Sequence, residues 1–310
     1  MSYNPYDPES KYIPILNPVG AAIIGLVFVF FTYQIVGGLI TLAIFGFDLN
    51  TAPTNGFRIM TTIGQFIFIL VPTLVLSQAI YRDIPNILRF KMPRLLEVLV
   101  FAGGMAILIP LMQELIAVQN YVLEYLASAS SVFNSFKAVF DQLNTSLEGT
   151  YLRLISAANI FELSWVIFVI AVTPAICEEL LFRGFIQHSL EFSTKPKWAI
   201  ILTGVFFGLY HFSPYGLMAL VIFGVYIGFT AYKSESIVIP MILHFINNFV
   251  TVVVFYIIGD TELLDASAVP PGDILYSVIN VVLLSLFFIF FLYIVNKNYH
   301  KLKGGSDDLS

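Results

Sequence analysis

Long apolar stretches, recurring from near residue 19 to near residue 296, leave this chain few folds to choose from. They lie at about 19–46, 57–81, 96–117, 161–181, 198–212, 217–232, 237–257 and 273–296. Most are close to the roughly 20 residues that carry a helix across the hydrocarbon core of a bilayer. Only 11% of the residues are charged and 58% are hydrophobic, whereas a soluble domain has about a quarter of its residues charged. The expected fold is therefore all-α: a polytopic membrane bundle of about eight transmembrane helices.

Charge placement gives an orientation. With the N-terminus inside, 12 of the 15 Lys and Arg residues are cytoplasmic, and Arg58, Lys137 and Arg153 are left outside. The stretch holding Asp260, Glu262 and Asp265 has no basic residue and falls outside, as does Asn144, while Arg89 and Lys195 fall inside. Both termini are then cytoplasmic in an integral multi-pass protein of the cell (inner) membrane. Residues 1–16 are polar and Pro-rich without the basic start of a signal peptide, and the run from Val19 is too long for a signal h-region. The longest connection, about 118–160, is external. Its Phe133, Phe136, Phe140 and Leu143 recur at helical spacing, which predicts a helix lying on the membrane surface. Gly204/Gly208 and Gly224/Gly228 are small-xxx-small pairs suited to close helix contact.

The chemistry concentrates at Cys177-Glu178-Glu179-Leu180-Leu181-Phe182-Arg183-Gly184. It follows an apolar run, and an acid inside a membrane costs roughly 2.5 kcal/mol or more, so such a group marks a functional site by default. Two adjacent acids repel unless one is protonated or meets a cation. Arg183 stands four residues after Glu179, on the same helical face, and can pair with it. Glu178 is about 100° round the helix and lacks that partner. Glu179 is expected to be structural and Glu178 to be free for chemistry. Cys177 is the single cysteine, which excludes an internal disulfide or a cysteine metal cluster and reads as a packing residue.

The remaining polar groups noted in the late spans are His211, His244, Asn247 and Asn248. Phe207 precedes His211 by four and His244 precedes Asn248 by four, so each pair shares a face. A lone membrane histidine is usually a helix–helix hydrogen-bond partner. Two of them, an acid pair and an asparagine on different late spans are most economically clustered in the bundle interior. His188, in the basic cytoplasmic loop, and His300, in the tail, are expected to be solvated. Glu114 and Glu162 are placed at the outer ends of spans, within reach of water.

Glu-Glu-x-x-x-Arg (178–183), Phe-x-x-x-His (207–211) and His-x-x-x-Asn (244–248), in this order, resemble the three motifs of the CPBP family. That family contains the type II CAAX prenyl endopeptidases and the bacteriocin-processing and immunity-associated membrane proteins called Abi. The resemblance covers roughly residues 161–250. The expected division is an N-terminal membrane region of three spans and the external segment (1–160), a catalytic core resembling that family (161–257), and a last span with cytoplasmic tail (258–310). The resemblance further implies an eight-helix bundle with a polar cavity open to the cytoplasm. By the same resemblance Glu178 and His211 activate the attacking water, His244 and Asn248 stabilise the oxyanion, and Glu179 with Arg183 holds the site together. The implied substrate is a peptide or lipidated protein at the membrane lipid.

Family members are often labelled metalloproteases, and Glu178, His211 and His244 are ligand types that a catalytic Zn2+ takes, with a fourth position for water. Against zinc stands Asn248, because an amide is a poor zinc ligand and a good oxyanion donor. If His244 also serves the oxyanion, two strong ligands remain, which favours metal-free hydrolysis. A His-Glu-x-x-His zincin pattern is absent, as is a Gly-x-Ser-Gly nucleophile in a span. The net charge of −5 argues against a nucleic-acid partner. Besides an intramembrane endopeptidase, a non-proteolytic scaffold or bacteriocin-immunity protein of the same fold fits the motifs. A proton-coupled transporter fits less well, because the two halves show no symmetry and the ionisable groups gather in one of them.

Overall fold

A computed structural model of the chain describes residues 4–7, 13–46, 52–259 and 274–303. Lys11 and the acidic Asp260, Glu262 and Asp265, used above to orient the chain, lie outside the described residues. Every regular element among the described residues is a helix. Among the described residues seven helices are long and apolar enough to cross a membrane: α1 (Pro18–Phe45), α2 (Thr54–Tyr81), α3 (Leu95–Ala129), α5 (Ile160–Glu191), α7 (Leu217–Ser234), α8 (Val238–Ile258) and α9 (Ile274–Leu302). Two further long helices are α4 (Ser131–Ile155) and α6 (Pro196–Tyr210), and one helical turn, Ile84–Ile87, follows α2. The chain is therefore an integral, all-α, polytopic membrane protein.

Three expectations need revision. The stretch at 198–212 forms α6, whose 15 residues extend roughly 22 Å at 1.5 Å per residue. That is short of the ~30 Å hydrocarbon core, so among the described residues seven helices rather than eight have spanning length. The third span does not end near 117, because α3 continues unbroken to Ala129. Nor is His188 solvated. It lies inside α5, 9% exposed, because α5 does not stop at its charged residues but runs on to Glu191.

The chain divides into two compact units, the first of residues 1–92, 150–203 and 227–259, the second of 93–149, 204–226 and 260–310. In the first unit α5 packs against α1, α2 and α8. Its N-terminus is capped by Asn159, whose Oδ1 accepts from the backbone N–H of Phe161 (3.1 Å) and Glu162 (3.0 Å), satisfying donors a helix start leaves bare. Arg58 of α2, fully buried, donates to Glu162 Oε1 at 2.6 Å and to the Leu154 carbonyl at 3.0 Å. At the other end of α5 the turn after α2 docks onto the helix. Gly184 makes room for it, since a Cβ there would meet Leu88 Cδ2 at 2.9 Å and Leu88 Cα at 3.3 Å. His188 Nδ1 then donates to the Ile87 carbonyl at 2.8 Å, and Arg89 pairs with Glu191.

In the second unit α3 packs along α9. Asn280 Nδ2 donates to Glu114 Oε1 at 2.8 Å, so that acid is bound within the protein. Gly204 and Gly224 lie in close contact, with a Cβ on Gly224 only 3.0 Å from Gly204 Cα. Gly228, the fourth of the small residues singled out in the sequence, belongs to the first unit and faces Gln187 there.

Candidate active site

The acid pair sits where α5 departs from regular α geometry. The helix widens to π turns at Phe168–Val172 and again at Leu180–Gln187, leaving Thr173–Glu179 between them. Pro174 has no N–H to return to the carbonyl four residues back, Ile170. In hydrocarbon an unsatisfied carbonyl is costly, so a donor is needed from elsewhere. Asn248 of α8 supplies it, with Nδ2 3.0 Å from the Ile170 oxygen. Thr173 Oγ1 donates to the Phe168 carbonyl at 2.9 Å in the same way. Asn247 Nδ2 donates to Asn248 Oδ1 at 3.2 Å, which fixes the amide.

One turn earlier on α8, His244 reaches the acid pair. Its Nδ1 is 2.7 Å from Glu179 Oε1, and the same oxygen accepts from Arg183 Nη1 at 2.9 Å. A carboxylate only accepts, so Nδ1 carries the proton and the imidazole is held by the edge that faces α5. All three residues are buried: Glu179 and Arg183 at 0% exposure and His244 at 3%. The i, i+4 spacing of Glu179 and Arg183 thus produces the ion pair it predicts, and His244 joins it. Glu178 is half-buried, unlike its neighbour. Its charge reaches both Arg183 and the phenol of Tyr33 on α1. Cys177 is fully buried.

His211 belongs to the second unit, in the turn after α6. Its ring packs on Phe207 with centroids 4.7 Å apart, and Nδ1 donates to the Phe207 carbonyl at 2.8 Å, leaving Nε2 with its lone pair. The turn is pinned by residues that sequence reasoning missed. Gln119 Nε2 donates to the Tyr215 carbonyl at 2.9 Å, and the Tyr215 hydroxyl donates to Asp141. That hydrogen bond, together with Lys137 at 3.0 Å, holds the Asp141 carboxyl below the usual range despite partial burial. Burial, aided by Asp141, pushes the Tyr215 phenol up to about 12.

Of the site residues read from the sequence, Glu179, Arg183 and His244 are brought into direct contact, with Glu178 beside them in the chain and Asn248 one helical turn from His244. Among the described residues no three His, Cys, Asp or Glu side chains are grouped to hold a metal ion. Glu178 and His244 belong to the first unit and His211 to the second.

A buried acid, histidine and arginine in a polytopic membrane protein define a protein with a polar site inside the membrane. Residues 160–250, which carry all of these groups, match the model of the family described as type II CAAX prenyl endopeptidase Rce1-like. The match covers 91 of the 310 residues, and it makes that segment similar to the CPBP/CAAX protease family. No curated protein and no solved structure matches the chain.

Proposed function

We propose that this protein is an intramembrane endopeptidase that hydrolyses one peptide bond of a prenylated or otherwise membrane-associated substrate, with Glu178 as general base. The observation that carries the proposal is the buried Glu179–Arg183–His244 cluster beside a half-buried second carboxylate, within the segment that matches the family.

Glu178 takes a proton from the attacking water. The hydroxide adds to the carbonyl carbon, and negative charge develops on the carbonyl oxygen. Two donors serve that oxyanion. His244, fixed through Nδ1 on Glu179, gives its Nε2–H when the ring is imidazolium. Asn248 has two N–H bonds on Nδ2, one spent on Ile170 and one left for the oxyanion. The four charges of Glu178, Glu179, Arg183 and His244 then sum to zero before reaction. Once Glu178 is protonated the cluster carries one positive charge, which the oxyanion balances. Collapse of the intermediate breaks the C–N bond, and Glu178 returns its proton to the leaving amine. The part of His211, helping Glu178 polarise the water through Nε2, rests on its motif alone.

Purified protein in liposomes should cleave a prenylated peptide ending in a CAAX sequence at a single bond. Folded protein that cleaves no membrane-associated peptide would favour the scaffold or immunity reading. Activity should survive chelation. One stoichiometric zinc, with activity lost to a chelator and restored by zinc, would contradict the metal-free route.

A further inference from the structure

Two polar side chains in α1 and α2 have no part in the chemistry above, yet they stand at the level of the acid pair. Gln65 of α2 is 5% exposed, and its Oε1 has no hydrogen-bond partner. Tyr33 of α1 lies against α2, 3.7 Å from the position a Cβ on Gly64 would take. Its phenol is within hydrogen-bonding reach of the Gln65 side chain and within electrostatic reach of Glu178 and Cys177. The α2 segment that ends in Gln65 packs on residues 173–179 of α5. All three helices widen to π turns here, at Phe31–Gly37, Phe66–Leu70 and Phe168–Val172, and π turns recur at functional sites.

A buried acceptor with no donor is costly, most of all inside hydrocarbon. Tyr33 occupies one side of the Gln65 amide and leaves Oε1 for a donor that arrives from outside the fold. In a peptidase the donor common to all substrates is the main-chain N–H, since an extended peptide presents one at every residue and is held through them. We propose that Gln65, oriented by Tyr33, is a substrate-binding residue that accepts a main-chain N–H of the peptide near the bond Glu178 attacks. This inference rests on the endopeptidase reading.

The test uses purified full-length protein in liposomes, the prenylated peptide it cleaves, and variants of that peptide with one backbone N–H at a time replaced by an ester oxygen. Gln65→Leu raises KM about five- to tenfold, the loss of one hydrogen bond, with kcat within about twofold. One ester position raises the wild-type KM to a similar extent and adds nothing in Gln65→Leu, because both changes remove the same contact. Tyr33→Phe, a second and milder variant, gives a smaller rise that is likewise non-additive at that ester position. Removing an unpartnered buried acceptor leaves the Tm of Gln65→Leu at or above that of wild type. A lowered Tm with unchanged KM would make Gln65 a structural residue and overturn the proposal. So would ester effects that add to both variants at every position. If wild type cleaves no peptide, the endopeptidase reading falls and takes this inference with it. If wild type cleaves and Gln65→Leu matches it, this inference alone falls.

Discussion

Glu179 Oε1 serves two donors at once, Arg183 Nη1 and His244 Nδ1, so removing its charge strands two groups rather than one. Breaking a buried pair from one side costs roughly 3–5 kcal/mol. Glu179→Gln should destabilise the protein by about that much, read as a lowered Tm in detergent. The other device at this scale is Asn248 replacing the donor that Pro174 lacks. Asn248→Leu should cost about 1–3 kcal/mol, the penalty of an unsatisfied buried carbonyl. In a Pro174→Ala background, where residue 174 regains its N–H, most of that loss should disappear. A double-mutant cycle that came out additive would show that Ile170 does not depend on the amide. Much of this was readable beforehand. The spacing of Glu179 and Arg183 gave the ion pair, and that of His244 and Asn248 gave the shared face. Pro174 inside an apolar run announces an orphaned carbonyl, although spacing alone does not say that Asn248 satisfies it. Tyr33 and Gln65 were not readable, because one tyrosine and one glutamine in apolar runs carry no periodicity that points to an acid on α5.

At the scale of elements, α5 carries the site only because its far end is covered. The turn at 84–91 docks on Gly184 and His188, and Arg89 closes it with Glu191. This is also why His188 is buried although its charged neighbours in the sequence suggest a solvated loop. Glu178, Glu179 and Arg183 resemble a span end in a hydropathy reading, yet inside the protein Glu179 and Arg183 neutralise each other and the helix continues. Gly184→Ala forces a Cβ toward Leu88 backbone, and overpacking of this kind costs about 1–3 kcal/mol. The turn should loosen, so trypsin should cut between Arg82 and Lys91 faster than in wild type. Equal cutting would show that the turn tolerates the methyl group. In the second unit, α4 is tied to the turn of His211 through Asp141 and Tyr215. The Asp141 carboxyl is held below its usual value, first by Tyr215 and then by Lys137. Its contribution to stability is therefore present above the unfolded value of about 3.9 and is lost as pH falls through the lower, folded one. Tyr215→Phe should lower Tm at pH 6, and the difference from wild type should shrink below about pH 4. A difference constant across that range would rule out the Asp141 carboxylate as the source.

For the whole molecule, we propose from the excess of basic residues on one side that both termini lie in the cytoplasm, an orientation that requires α6 to count as a crossing. α6 is too short to cross by length alone, and the sides of positions 145 and 195, which both precede it, do not depend on it. In a background with Cys177 replaced, cysteine at exposed position 145 should react with an impermeant thiol reagent on intact cells, and cysteine at exposed position 195 should not. The reverse pattern would invert the protein.

The central claim is that Glu178 is the base of a peptide hydrolase, and single-turnover cleavage by a folded Glu178→Gln variant tests it most directly. The substitution keeps the shape of the side chain and removes the proton acceptor. With a prenylated peptide bound at saturation in liposomes, wild type should form product. Glu178→Gln, at unchanged Tm and unchanged peptide binding, should form product at least about a hundredfold more slowly, the minimum expected when a general base is lost. Cleavage by Glu178→Gln at the wild-type rate would contradict the account.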